Sequence, residues 1–274
     1  MRRESFETPA PPTLDLSLRS GEIEVETFDG ATTEIELSAG DSDDARRLLE
    51  NARIELRGDR VVVAVPKSGG ILGFLRDLDV RLAIRAPHDT HIRAETASAD
   101  LRARGRFGSV EARTASGDVD VVAAGGDVDV KTASGDVRID DVGGDVNAGT
   151  ASGDVELGRV VGEAIVKTAS GDVRIREAGR AVRVGTASGD QRVASVVSGL
   201  VNLQSASGDL EVGIASGSNV WVDARSMSGD TSSELELADE EPAGDDAPLV
   251  ELRATTMSGD VKVVRAPAAS ESPR

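Results

Sequence analysis

The chain has no cysteine and no tyrosine, and it carries only one tryptophan, four phenylalanines and two histidines. Without cysteine there is no disulfide to staple the fold and no thiolate to hold a metal, and the redox compartment is left open. Without rings, the core has to be assembled from small and β-branched side chains, which suits narrow stacked layers. Long apolar runs are absent as well. The longest, Val61–Val65, falls far short of the ~20 residues that cross a bilayer as a helix. The N-terminal Met1-Arg2-Arg3-Glu4-Ser5-Phe6 runs into Pro9, Pro11 and Pro12 without the apolar stretch of a secretory leader. These residues lead to the expectation of a cytoplasmic protein with no integral membrane span. Charge excludes a further class. With 31 basic against 49 acidic residues the net charge is −18, which repels nucleic acid and anionic lipid and leaves cations, basic protein surfaces and polar glycans. Proline is missing from the middle of the chain: all nine lie at or before Pro87, or at or after Pro242, so the stretch between keeps every backbone donor.

That stretch is filled by a repeat. Thr96, Thr114, Thr132, Thr150, Thr168 and Thr186 stand 18 residues apart, each opening Thr-Ala-Ser and closing on Asp100, Asp118, Asp136, Asp154, Asp172 or Asp190. The series loosens to Asp209, Asp230 and Asp260. A half-period appears at Gly126-Asp127, Gly144-Asp145 and Gly162-Glu163, so each unit of 18 is two units of nine. After each acidic residue the pattern is apolar, polar, apolar, as in Val119-Asp120-Val121 and Val137-Arg138-Ile139, and period two is the signature of a strand. The Gly-Asp clusters between strands are turn chemistry.

Two arrangements honour this pattern, an antiparallel meander and a parallel solenoid. A meander leaves one broad valine face that no other segment is large enough to cover, whereas a solenoid with one short strand per coil in each of two sheets buries its valines against each other. The expected fold is therefore all-β, a parallel β-solenoid or β-helix with two short strands per 18-residue coil. Stacked coils would bring the outward residues Asp120, Arg138, Glu156, Arg174, Arg192 and Glu211 into one largely alternating charge column that favours the native register.

The flanks organise the remainder. Residues 1–12 are expected to be disordered, and residues 13–92 to form a β-rich cap with strands around Leu14, Ile23, Ile35, Ile54 and Val61 and one short helix near 42–52, whose first turn holds Asp43 and Asp44. Residues 93–237 are the solenoid, 238–248 an insertion loop, 249–265 C-terminal strands and 266–274 a disordered tail.

The repeated Ser-Gly-Asp-Val units, preceded by Leu14-Asp15-Leu16-Ser17-Leu18 and Gly21-Glu22-Ile23-Glu24-Val25, resemble the bacterial β-strand-repeat family of candidate adhesins, also called toastrack domains, or domain of unknown function 4097. The resemblance runs from about residue 13 to residue 264. It implies a stacked-β scaffold associated with bacterial envelope-stress systems and their membrane partners, and it brings no catalytic residues.

Candidate chemistry is sparse. The column of Asp118, Asp136, Asp154, Asp172 and Asp190 would carry like charges ~4.8 Å apart, a repulsion that either bound calcium or turn N–H groups must relieve. Calcium-binding β-rolls offer several ligands per turn; here one carboxylate sits between Gly and Val, which favours the turn role. The Thr-x-Ser column points into the corner and not onto a flat exposed array. Arg57-Gly58-Asp59 reads as hairpin chemistry. His88 and His91, with Asp89, are too few to define a metal site, and Lys67-Ser68-Gly69-Gly70 lacks the rest of a phosphate loop. Catalysis needs a unique constellation of groups, whereas the polar residues here recur coil after coil. Function is expected where the repeat breaks: in the apolar stripe Ile71, Leu72, Phe74, Leu75 and Leu78, at the lone Trp221 and in the insertion at 240–247. The resulting expectation is a non-enzymatic scaffold without cofactor that binds a protein partner, among them a membrane-associated stress protein. The alternatives are a calcium-stabilised module and a glycan-binding or glycan-active β-helix.

Overall fold

The computed structural model describes residues 1–66, 80–235 and 247–266, and the chain divides into two compact units, residues 1–139 and 140–274. Both are built from parallel strands that climb in coils, so the solenoid and not the meander is the observed solution.

In the N-terminal unit the first coil is β2 (Thr13–Phe28), one long strand bent at Gly21. It pairs in parallel with β7 (His91–Phe107), Leu14 beside Ile92 and Val25 beside Ala103. Thr13–Phe28, expected in a cap, is thus a full member of the stack, and the solenoid begins 80 residues before the expected boundary at 93. On the other side of β2 lie β5 (Arg60–Ala64) and β6 (Arg81–Pro87), also parallel to it. The chain therefore makes its second layer first, steps outward to make the outermost one, and passes back over β2 to make the third.

Antiparallel strands cover that outermost layer. β3 (Thr32–Ser38) pairs with β6, β4 (Arg53–Arg57) with β5, and β1 (Arg2–Glu7) with β3. The N-terminal residues, expected to be disordered, are held by this last pairing and by Arg2, which donates to the carbonyls of Leu49 and Ala52 at the end of α1 (Asp43–Asn51). The helix is where its acidic first turn put it. Ser42 caps it by accepting from the Ala45 N–H at 3.1 Å, and Ala45 and Leu49 are buried. Beyond β7 the unit continues with β8 (Val110–Arg113), β9 (Val119–Ala124) and β10 (Val128–Lys131), and β11 (Val137–Val142) spans the division between the units.

The C-terminal unit has two columns. One contains β12 (Val146–Gly149), β14 (Ala164–Lys167), β16 (Val182–Ser188) and β18 (Gly199–Ser207). The other contains β13 (Val155–Val160), β15 (Val173–Ala178), β17 (Gln191–Val196) and β19 (Leu210–Ile214). All pair in parallel with the strand one coil away. Here too the final coils are out of chain order. β22 (Leu249–Ser258) and β23 (Val261–Arg265) stack directly on β18 and β19. β20 (Asn219–Ser228) and β21 (Thr231–Ser233), made earlier in the chain, lie outside them. Residues 249–265 are thus an inner layer of the solenoid.

The core is aliphatic, as the shortage of rings required: Val166, Val182, Val201, Leu203, Leu252 and Val263 are all at or below 1% exposure. Phe107 and a few polar side chains are buried with it, among them Gln191. Gln191 occupies the row of Val173, Leu210 and Val261 at 1% exposure. Its Nε2 donates to Thr186 Oγ1 at 2.8 Å and to the Gln204 carbonyl at 2.7 Å, while Oε1 has no partner among the described residues. A buried acceptor without a donor costs about 1–3 kcal/mol, so Gln191→Leu is expected to raise unfolding stability by about 1 kcal/mol. Urea denaturation measures this, and a loss of stability would show that the amide's two donated bonds outweigh its orphaned oxygen.

Candidate functional site

The repeated Thr-Ala-Ser-Gly-Asp segment forms a corner, and its polar atoms are used there. Thr114, Thr132 and Thr150 each accept, through Oγ1, the N–H of the glycine three residues on, at 2.9–3.0 Å. The aspartates then reach from one coil to the next. Asp100 accepts the Asp118 N–H at 3.0 Å and Asp118 that of Asp136 at 2.9 Å. In the second unit Asp154 accepts from Asp172 at 2.8 Å, Asp172 from Asp190 at 3.0 Å and Asp190 from Asp209 at 2.9 Å. The ladder follows spatial and not chain order at its end: Asp209 accepts from Asp260, and Asp260 from Asp230, both at 2.8 Å. Asp145 accepts the Glu163 N–H at 2.8 Å in the half-period corner.

One oxygen of each of these carboxylates is thus occupied by a peptide N–H. Arg174 holds the other oxygen of Asp172 at 2.9 Å. Among the described residues no group of three or more His, Asp or Glu side chains is arranged to hold a metal ion. With one oxygen of each ladder carboxylate held by a peptide N–H, the ladder itself is expected to add less than about 1 °C to the melting midpoint in calcium over chelator, since only a ligand that binds the folded state raises stability. Asp172→Ala is expected to cost about 1–2 kcal/mol, and Asp172→Asn, which keeps the acceptor, less.

Ion pairs between coils occupy much of the outward charge. Arg192 meets Glu211 at 3.2 Å, Arg159 meets Asp141 at 3.2 Å, and Arg93 meets Glu111 at 2.9 Å. At Glu111 a hydrogen bond from Arg113, with another from Arg93, holds the carboxyl below its ordinary value against the opposing effect of burial. A depressed carboxylate stabilises the fold at neutral pH, and this contribution fades as pH falls through the lowered value.

The remaining sequence candidates separate cleanly. His88 Nδ1 lies 3.0 Å from Thr27 Oγ1, whereas His91 Nδ1 accepts the Ser109 N–H at 3.0 Å, so the two rings serve different partners. Asp89 is paired with Arg106 at 2.9 Å. Gly58 and Asp59 turn the hairpin between β4 and β5. Ile71, Leu72, Phe74, Leu75 and Leu78 lie outside the described residues, as does most of the expected 238–248 loop.

Trp221 is on β20, on its outward row, 49% exposed, with the Arg253 guanidinium 5.8 Å from the centre of its ring. It is not alone. Met227 is 80% exposed, Leu249 57% and Met257 56%, all on the two outermost coils. Trp221 stands beside Glu251, and in earlier coils the position of Met227 and Met257 is the small Ala of Thr-Ala-Ser-Gly-Asp, such as Ala169 or Ala187. Both methionines are departures from the repeat that the sequence shows, although neither was among the expected site residues.

No curated protein matches the sequence. Among solved structures, a candidate lipid binding protein from Parabacteroides distasonis is similar at 13% identity and a TM-score of 0.52, with 96% of each chain covered. A candidate adhesin from Bacteroides fragilis aligns at 14% identity and a TM-score of 0.48, again over 96% of each chain. These identities speak to the fold alone. The sequence itself matches the Toastrack DUF4097 family over residues 47–264, and the chain belongs to that family.

Proposed function

We propose that the chain is a non-catalytic binding scaffold that engages a protein partner through the outer coils of its C-terminal unit. The observation that carries this reading is the concentration of Trp221, Met227, Leu249 and Met257 on two coils, whereas the large apolar side chains exposed on the regular coils are the scattered valines Val122, Val161 and Val197. Aromatic and methionine side chains are the ones enriched where proteins meet. Non-catalytic use is supported by the polar residues, which recur in the same hydrogen-bonding role from coil to coil. The resemblance to a family associated with envelope stress makes a membrane-associated stress protein one partner to test.

A photocrosslinking residue placed at Trp221 or Met227 is expected to capture a partner in cells, and the same residue at Arg174 on a regular coil is not. Equal capture at all three positions, or none, would sink the reading. The same exposed ring and thioethers would also suit the headgroup layer of an uncharged membrane, as the name of the Parabacteroides distasonis protein suggests. Co-sedimentation with phosphatidylcholine vesicles that is lost in Trp221→Ala would replace the protein partner with lipid.

A further inference from the structure

Among the described residues β20 is an edge strand. It pairs with β22 on one side, and among the described residues no strand lies on its other side. Its core-facing row is open too: Val222 is 37% exposed, whereas Leu252 and Val201, its counterparts in the two layers beneath, are at 0%. Long open edges with apolar side chains are templates for further pairing, and proteins usually blunt them. In the N-terminal unit the outermost layer is blunted by antiparallel strands with charged rows. β20 carries no such cover among the described residues. Its companion β21 has Thr231 and Ser233 at the positions of Val261 and Val263, which confines the apolar contact to β20.

The order of residues on β20 indicates what fits against it. A second β20 laid antiparallel keeps core-facing residues on one side only if the two-fold axis passes through a residue. With Ala224 on the axis, Asp223 faces Arg225 of the second copy and Arg225 faces its Asp223. Trp221 then faces Met227 and Met227 faces Trp221. An axis through Asp223 sets Asp against Asp, and one through Arg225 sets Arg against Arg. Only the Ala224 axis pairs both charges and both large outward apolar side chains. Within one chain Asp223 and Arg225 already meet at 2.9 Å, so the dimer would join two such pairs into a four-charge network, with sulfur–aromatic contacts on either side.

We propose that the chain forms an isologous dimer through its end coil, β20 running antiparallel to β20 of a second copy about an axis at Ala224. This rests on the reading of the end coil as a binding surface and names its occupant.

Sedimentation velocity on the full chain over a range of concentrations is expected to show a monomer–dimer equilibrium. Arg225→Asp, which sets Asp against Asp twice, should weaken it about 30-fold, two cross-strand pairs at about 1 kcal/mol each. Combining it with Asp223→Arg restores both pairs in reversed sense and should return the dimer, which shows that the single variant was folded but mismatched. Because the chain has no cysteine, Ala224→Cys gives a single thiol. On the axis it should cross-link two chains under mild oxidation, opposed Cα atoms being about 4.5–5.5 Å apart. Trp221→Cys, about 20 Å from its own copy, should not. A chain that remains monomeric at every concentration, or a dimer indifferent to Arg225→Asp, overturns the proposal. If it is monomeric while the crosslinker at Trp221 still captures another protein, the dimer fails and the scaffold reading stands.

Discussion

Gly189→Ala is expected to destabilise the C-terminal unit by about 3 kcal/mol or more, enough to remove much of the stability of an ordinary domain. Gly189 sits in the corner at φ +136°, and a Cβ there would lie 2.1 Å from the Gly171 carbonyl oxygen of the coil beneath. That oxygen cannot retreat, because the corners are tied to one another: the Gly171 N–H donates to Ser188 O and the Gly189 N–H to Ser207 O. The substitution therefore meets both a backbone conformation that side chains avoid and a clash with a fixed atom. Gly217 separates the two effects. It has φ +81° with nothing within 4 Å of a built Cβ, so Gly217→Ala should cost only about 1 kcal/mol, the backbone part alone. Comparable losses in urea denaturation of the two variants would show that the corner is looser than its contacts imply.

Deleting Val155–Asp172 is expected to leave a folded protein, and deleting Val155–Glu163 is expected to leave none. The first excision removes one coil of 18 residues, β13 and β14 with both corners, and joins Asp154 to Val173 so that Ser-Gly-Asp-Val is re-formed at the junction. β16 then meets β12 in place of β14, Val182 against Val146, in the same face and register. In a stack where each layer touches only its neighbours, losing one layer lowers the melting temperature modestly. The second excision removes half a coil. It sends the four-residue strand Ala164–Lys167 into the column of the six-residue strands and puts the Thr-Ala-Ser-Gly-Asp corner on the side of the Gly-Gly-Asp corners. The aspartate ladder then has no N–H at the right height. Circular dichroism with thermal melting distinguishes the outcomes, and a cooperative melt from the half-coil deletion would mean that the two corners are interchangeable.

Much of the fold was legible because the stacking force is local and periodic. Valines at period two, glycine-acid corners at 9 and 18 residues and a proline-free middle point to one parallel arrangement, and the aspartates' role as corner acceptors follows from their place after glycine. The order of the end layers was not legible. β2 lies 78 positions from its neighbour β7, and a partner at that distance leaves no period in the chain. Likewise, Leu249–Arg265 has the same alternating core row as any other coil and, apart from Met257 and Leu249 on its surface, carries no mark that it slides inside β20. A mark did exist on β20 and β21 themselves: Trp221 on the outward row, and Thr231 and Ser233 where inner coils have valines, belong to a layer with no further strand beyond it among the described residues. β1 was missed for a different reason. Its residues alternate between half-buried and exposed without an apolar row, and it is held by backbone pairing with β3 and by the arginine reaching the helix end.

The inverted layer order at the end of the C-terminal unit has a consequence for how the molecule comes apart. The outermost layer, β20 and β21, is followed in the chain by β22 and β23, which are clamped one level further in. When that outermost layer lifts away it does so as a loop anchored at both feet, not as a free tail. The freedom gained grows only with the logarithm of loop length, and re-closure stays intramolecular and fast. Peeling therefore has no loose thread to begin from at that edge, and an exopeptidase working back from the C-terminus would have to extract the second-to-last layer before the last one was lost.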